Sequence, residues 1–189
     1  MPTFRASVQS SLSESRCDTE SGLPLFENEV DVDELNQKLA SMNIGVLLKV
    51  HHLQAGKSMF QRKYSNIVIV EDEELQEKGL QLYEVIGYSD ALITDYSSVY
   101  IDYLIANKPE AFILADIEQY EQDRGFCWDD VRQIMPGFHI YSKNDFFSFV
   151  QTIAEGKDEY VYERNRLLPL FHNSADGTSC QKFDLFFGL

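Results

Sequence analysis

The chain has 189 residues, a length that suits one domain or slightly more. Its 44% hydrophobic and 25% charged residues are ordinary for a globular protein that folds in water. Sixteen basic residues oppose thirty-one acidic ones, and the formal net charge of −15 argues against non-specific binding to nucleic acid or to an anionic membrane surface.

The amino terminus, the apolar stretches and the cysteines narrow the class of protein further. No secretory signal is expected at the amino terminus, and no stretch approaches the roughly 20 apolar residues of a membrane-spanning helix. The three cysteines are widely spaced and form no CxxC pair, which argues strongly against a zinc knuckle. The sequence therefore predicts a reduced, cytoplasmic protein, and we predict neither a metal nor another cofactor.

In the first half of the chain, the spacing of apolar residues changes from irregular to periodic. Residues 1–30 have little apolar periodicity and are predicted to form an irregular, partly mobile leader. Beyond them, helical and strand patterns alternate. Helices are predicted over 31–42 and 73–86, strands over 44–50, 66–70 and 91–94, and a polar loop over 51–65.

The second half continues the alternation. The pattern predicts a helix over 99–107, a strand over 111–115, an acidic and aromatic-rich loop over 116–136, a short strand over 139–142, and helices over 145–155 and 159–171. The phenylalanine pairs at 146–147 and 186–187 are predicted to lie in the core. Short helices between apolar strands are typical of an α/β domain, so residues 31–189 are predicted to form a Rossmann-like parallel sheet with helices on both faces.

Ligands of such sheets bind beyond the carboxyl ends of the strands, where Asp95-Tyr96-Ser97-Ser98 follows a predicted strand. Two hydroxyls at a helix start, with free N–H groups beside them, suit a phosphate group. The alternative interpretation is that Ser97 or Ser98 only caps the helix. The sequence has neither GxGxxG nor GxxxxGK[ST], so an NAD fingerprint or a P-loop is unsupported.

A second candidate is His51, which follows another predicted strand at the same edge. The stretch from Lys49 to Lys63 carries four Lys or Arg residues and no acid, a local reversal of sign that suits a polyanionic ligand. Histidine titrates near neutral pH and serves as acid, base or hydrogen-bond donor to phosphate. The alternative is a solvated loop with a surface histidine.

A third candidate is Arg124, which stands in a strongly acidic segment beside Tyr120 and Gly125. Arginine forms bidentate hydrogen bonds with phosphate, so Arg124 is a candidate phosphate clamp. The alternative is a structural ion pair with Asp123 or Asp129.

Several short motifs in a fixed order cover nearly the whole chain. They are Pro2-Thr3-Phe4-Arg5, Lys49-Val50-His51, the segment 89–98, Asp102, Lys108-Pro109, Tyr120 with Asp123-Arg124-Gly125, Pro136-Gly137 and Asp176-Gly177. In this combination the sequence resembles the carboxy-terminal domain of the CDP-glycerol glycerophosphotransferases, the primases and polymerases of teichoic acid.

The resemblance implies the carboxy-terminal domain of a GT-B enzyme that binds CDP-glycerol or a related CDP-alditol. Such an enzyme transfers glycerol phosphate to a teichoic-acid-like or capsular polymer acceptor and releases CMP. The resemblance implies that His51 contacts or protonates the donor pyrophosphate and that Ser97 and Ser98 present hydroxyls and amides to it. It implies that Arg124 and Arg5 neutralise its charge. Asp95 and Asp102 would support the loop and the helix. No metal is implied.

The sequence also departs from the family. The family has an amino-terminal acceptor domain with a histidine in a His-Gly segment, and we expect this chain to contain neither. We also expect the first strand of the family's second domain to be missing. His52 stands where the family usually has proline. We therefore expect a donor-binding portion that is inactive alone, and we interpret it as a fragment, a split-gene product that needs a separate amino-terminal domain, or a decayed copy. Contact with the inner face of the membrane is expected to be indirect. The alternative is a non-catalytic or decayed nucleotide-binding or interaction module of the same fold.

Overall fold

The computed structural model describes residues 25–26, 29–49 and 62–188, and the structural statements below concern these residues. Its helices are α1 (Glu29–Ser41), α2 (Asp72–Glu77), α3 (Leu82–Tyr88), α4 (Val99–Tyr103), α5 (Ile117–Asp123), α6 (Lys143–Ala154), α7 (Val161–Phe171) and α8 (Ser179–Phe187). Its strands are β1 (Val46–Lys49), β2 (Ile67–Val70), β3 (Leu92–Thr94), β4 (Glu110–Ile113) and β5 (Phe138–Ile140). Short 3-10 helices cover Leu104–Ala106 and Val131–Ile134.

All strand pairs in the described part of the chain are parallel. β1 pairs with β2, and β4 lies between β3 and β5. The prediction of an α/β domain with parallel strands is confirmed. The described strands form two hydrogen-bonded groups, of two and three strands, where the sequence predicted one sheet.

Strand β4 is buried on both faces, as expected for the centre of a parallel sheet. Ala111 and Ile113 pack into one hydrophobic cluster, whereas Phe112 and the following Leu114 pack into the other. Successive side chains of a strand point to opposite faces, so an unbroken apolar run serves two cores.

Helices cover both faces of this strand. The first cluster is formed with α1 and α6, through Val32, Leu35, Leu39, Phe146, Phe149 and Val150. The second is formed with α4, α5, α7 and the 3-10 helix Val131–Ile134, through Val99, Tyr100, Tyr103, Ile117, Val131, Ile134 and Leu167. The three layers confirm the Rossmann-like arrangement predicted from the sequence.

Three sequence predictions are corrected. The helix predicted over 73–86 is broken into α2 and α3, because Gly79 takes a left-handed φ of +67° just after α2 ends. Helix α5 forms inside the segment predicted to be a loop. Phe186 and Phe187 are 82% and 59% exposed on α8, whereas Phe146 is buried as predicted.

Within the described residues, no helix combines the length and the apolar character needed to cross a membrane.

Candidate functional site at the carboxyl ends of the strands

The turn between β3 and α4 is held by a buried carboxylate. Asp95 is fully buried at the end of β3, and its Oδ1 accepts a hydrogen bond from the backbone N–H of Ser97 at 3.2 Å. An aspartate that accepts from the N–H two residues on fixes a tight local turn. The Asp95 side chain therefore faces the backbone of its own turn, a structural contact.

The two serines of this turn do not use their hydroxyls for capping. Ser98 occupies the N-cap position of α4, but its side chain forms no capping hydrogen bond. Within the part of the chain that the structure describes, neither the Ser97 nor the Ser98 hydroxyl has a hydrogen-bond partner. The capping interpretation is therefore not supported.

Tyr96 connects this turn to the segment that follows β4. Its hydroxyl donates a hydrogen bond to Asp116 Oδ1 at 2.8 Å. Its ring centroid lies 4.2 Å from that of Tyr120 on α5. The ends of two neighbouring strands are thereby joined through one side chain, although the residues are distant in sequence.

Arg124 lies at the C-cap of α5, at the same edge. Its guanidinium carbon is 6.0 Å from the centroid of the Tyr120 ring, a cation–π distance. It is exposed, and among the described residues no carboxylate lies within ion-pair distance of it. The predicted alternative, an ion pair with Asp123 or Asp129, is not present.

Asp102 lies on α4, exposed to solvent, and accepts a hydrogen bond from the Tyr83 hydroxyl at 2.9 Å. This bond, with burial and the negative charge of Asp102 as smaller causes, raises the pKa of Tyr83. Asp102 thus links α4 to α3.

The basic run between β1 and β2 is less positive than its sequence suggests. Lys49 forms an ion pair with Asp72 at 3.1 Å, and Arg62 forms one with Asp33 at 3.0 Å. Acids from α1 and α2 therefore compensate both cations. The predicted site residues His51 and Arg5 lie outside the described residues, so their roles stay predictions.

Lys108, from the Lys-Pro motif, lies at the opposite edge of the sheet. Its Nζ donates to the carbonyl oxygens of Gly87 and Ser89 at 2.8 and 2.7 Å. Carbonyls at the end of a helix lack intrahelical partners, and a lysine there satisfies them. The motif therefore stabilises the end of α3, far from the turn that holds the serines.

Two residues at the site were not singled out from the sequence. Asp116 receives the Tyr96 bond, and Phe126 packs its ring against both tyrosines. The only available signal for Asp116 was that it closely follows β4, as Asp95 follows β3. No group of three or more His, Cys, Asp or Glu residues that could hold a metal ion occurs in the ranges described.

Parallel strands, helices on both faces and a polar turn beyond the strand ends define a Rossmann-like domain. The family model described as CDP-Glycerol:Poly(glycerophosphate) glycerophosphotransferase matches residues 1–183, and the chain belongs to this family. The resemblance inferred from the motifs is confirmed.

Relatives in two bacteria support the family assignment. The chain is 28% identical over 158 residues to the teichoic acid glycerol-phosphate transferase of Staphylococcus aureus (strain NCTC 8325 / PS 47), a match that covers 83% of the chain and 38% of the relative. It is 35% identical over 130 residues to the teichoic acid poly(glycerol phosphate) polymerase of Bacillus subtilis (strain 168), covering 68% of the chain and 16% of the relative. The chain thus spans well under half the length of these relatives.

The fold is also that of a solved structure. A variant of the wall teichoic acid polymerase TagF superposes with a TM-score of 0.72 at 24% identity, and the match covers 99% of this chain and 42% of that one. At this identity the likeness concerns the fold.

Proposed function

We propose that the chain binds CDP-glycerol or a related CDP-alditol, as the donor-binding portion of an enzyme that transfers glycerol phosphate to a teichoic-acid-like or capsular polymer. Membership of the glycerophosphotransferase family and the names of the relatives support this proposal. In the transfer, an acceptor hydroxyl attacks the phosphorus that carries glycerol. The bond from that phosphorus to the CMP oxygen breaks, and CMP leaves.

The observation that carries the proposal is the convergence of two sequence signals. The contact between Tyr96 and Tyr120, at 4.2 Å, brings the turn with Ser97 and Ser98 to α5, whose C-cap residue is Arg124. Two hydroxyls without partners among the described residues and one arginine without a carboxylate suit a diphosphate.

The remaining roles follow from the chemistry. Phosphoryl transfer depends on positioning and on stabilisation of charge at the phosphates. Arg124 and Arg5 would neutralise the donor pyrophosphate, and His51 would contact it or protonate the departing CMP. Asp95 and Asp102 would support the turn and α4, because a carboxylate in contact with the phosphates would repel them.

Transfer itself is proposed to need more than this chain. The relatives are more than twice as long, and the acceptor would be held by a separate amino-terminal domain. We propose that the chain alone binds the donor but does not transfer glycerol phosphate. Any contact with the inner face of the membrane would then be made through that additional part.

Isothermal titration calorimetry of the whole chain with CDP-glycerol and with CMP tests donor binding. We expect both to bind, and we expect Arg124→Ala and His51→Ala each to weaken CDP-glycerol roughly tenfold, the effect of losing a charge-assisted hydrogen bond. Arg166→Ala, which removes an exposed arginine from α7, is the matched control and should leave the affinity unchanged. A well-folded chain that binds neither nucleotide would contradict the proposal.

The second candidate is a non-catalytic interaction module of the same fold. The observation that favours it is α8, which buries none of its residues and exposes three phenylalanines. Calorimetry separates the candidates, because an interaction module that has lost its donor site would bind neither CDP-glycerol nor CMP.

A further inference from the structure

Three aromatic rings form a closed cluster at the edge where Arg124 lies. We call Tyr96, Tyr120 and Phe126 the aromatic triad. Tyr96 lies 4.2 Å from Tyr120 and 5.3 Å from Phe126, measured between ring centroids, and Tyr120 and Phe126 stack at 5.3 Å. All three rings are partly buried, and two of them pack against the second hydrophobic cluster. The triad is thus anchored to the core on one side.

The triad fixes α5 against the β3–α4 turn at two points. At the start of α5, the Tyr96 hydroxyl bonds to Asp116, which is the N-cap residue of the helix. One helical turn further on, the Tyr96 ring packs on Tyr120. A helix held at two points along its length cannot rotate about a single contact, so its end keeps one position relative to the turn.

The end of α5 is shaped to return the chain to the same cluster. The backbone N–H of Arg124 donates to the Tyr120 carbonyl at 2.9 Å, and Gly125 follows with a left-handed φ of +72°. Glycine adopts this conformation without steric cost, and it reverses the chain after a helix. Phe126 follows, and its ring stacks on that of Tyr120, which completes the triad.

We propose that Tyr120 is a positioning residue that holds the Arg124 guanidinium for the donor pyrophosphate, with Tyr96 and Phe126 fixing the Tyr120 ring. This inference rests on the proposed function. An exposed arginine has many rotamers, and ordering them on binding weakens affinity. A guanidinium already drawn to a fixed aromatic face, here at 6.0 Å, loses less freedom when the phosphate arrives.

A double-mutant cycle measured by calorimetry with CDP-glycerol tests this role. Tyr120→Leu keeps an apolar side chain and removes the aromatic face, and it should weaken binding about two- to fivefold, the range of an exposed cation–π contact. Tyr120→Phe keeps the face and should bind as the wild type does. In the Arg124→Ala background, Tyr120→Leu should have no further effect. Tyr162→Leu, on an exposed tyrosine of α7, is the matched control.

The outcomes separate this inference from the proposed function. Failure of the wild-type chain to bind CDP-glycerol overturns both. If the wild type binds normally and Tyr120→Leu has the same affinity, only the positioning role is overturned. The same holds if Tyr120→Leu loses as much affinity without Arg124 as with it, which is the result expected of a purely structural tyrosine. Where Tyr120→Leu does not fold, Phe126→Leu takes its place in the cycle, with the same predicted dependence on Arg124.

Discussion

Glu110 is the first residue of β4 and has an unusual environment for an acid. It is 1% exposed, and neither carboxylate oxygen has a hydrogen-bond partner among the described residues. The nearby Arg164 guanidinium is engaged with Asp158 and Asn107. Burial raises the pKa of Glu110 to about 8, and the positive charge of Arg164 opposes this rise only in part. The side chain is therefore neutral near pH 7.

This environment predicts a pH-dependent stability. The pKa of Glu110 is higher in the folded than in the unfolded chain, so Glu110 lowers the free energy of unfolding as the pH rises. This loss is absent below about pH 4.5 and grows by about 1.4 kcal/mol per pH unit towards pH 8. Glu110→Gln should remove this loss and raise the free energy of unfolding at pH 8 more than at pH 5. Urea unfolding at the two pH values measures the difference. Equal effects at both, or the same effect in the exposed control Glu118→Gln, would contradict it.

Among elements, β4 packs closely against Gly137, the residue that precedes β5. A Cβ added at this glycine would lie 2.2 Å from the Glu110 carbonyl oxygen and 3.0 Å from the Phe112 ring. Backbone cannot move aside as a flexible side chain can. The Pro136-Gly137 motif therefore requires glycine before β5, because any side chain there would collide with β4.

We predict that Gly137→Ala lowers the free energy of unfolding by about 2 kcal/mol or more, as overpacking in a core does. Gly87→Ala is the matched control, because a Cβ there meets nothing within 4 Å and Gly87 lies inside α3. The control should be neutral or stabilising by up to about 1 kcal/mol. Denaturant unfolding of both variants measures the contrast, and similar values for the two would be evidence against the close approach.

Helix α7 is fixed by a buried ion pair that the sequence did not reveal. Arg164 is among the largest fully buried side chains; it donates through two nitrogens to Asp158 and through Nε to Asn107 at 3.2 Å. Asn107 itself takes a left-handed φ of 48° after the 3-10 helix. The network thus ties α7 to the end of the segment that follows α4.

Removal of one partner should be costly because it leaves a buried charge uncompensated. Asp158→Asn is expected to lower the free energy of unfolding by about 3 kcal/mol. Lys182→Met, which breaks the exposed pair of Lys182 with Asp176, should change it by less than about 1 kcal/mol. Thermal unfolding of the two variants provides the comparison. Comparable losses would mean that burial does not govern the strength of these pairs.

The sequence predicted elements well where one pattern dominated. The apolar run at 111–115 and the β-branched run at 66–70 each favoured a strand in an alternating α/β chain, and the strands β4 and β2 form there. Helix α5 was missed because a short helix whose only fully buried residue is Ile117 carries little apolar periodicity. The break at Gly79 was missed because apolar spacing continued across it. The link between Tyr96 and Tyr120 is a tertiary contact, and no local pattern records it.

At the scale of the whole molecule, α8 contributes little to the core. None of its residues is buried, and its phenylalanine rings contact each other, with the ring centroids of Phe183 and Phe187 4.5 Å apart. The sequence suggested a core role because paired phenylalanines are usually buried. Their hydrophobicity alone could not show that these side chains lie on the exposed surface of α8.

We therefore predict that deletion of residues 179–189 leaves the thermal stability nearly unchanged. Leu167→Ala on α7 is the contrasting variant, since Leu167 is buried in the second cluster and its truncation should cost about 2–5 kcal/mol. Scanning calorimetry measures both. A large loss of stability on deletion of α8 would show that the helix packs against the domain.

We propose that an anionic donor binds this acidic protein at one edge of the sheet. The edge is distinguished by the serine hydroxyls of the β3–α4 turn and by Arg124, whereas the opposite edge uses Lys108 and Arg164 for structural bonds. The sequence singled out Ser97, Ser98, Arg124 and Lys108 but not Arg164, and only the fold shows which of these side chains are engaged in structural bonds.

A structure determined with CDP-glycerol bound tests this account most directly. The account predicts pyrophosphate oxygens within about 3 Å of the Ser97 or Ser98 hydroxyl and of the Arg124 guanidinium, which should still lie over Tyr120. Pyrophosphate bound at the Lys108 edge, or no nucleotide bound at concentrations that saturate related donor-binding enzymes, would contradict it.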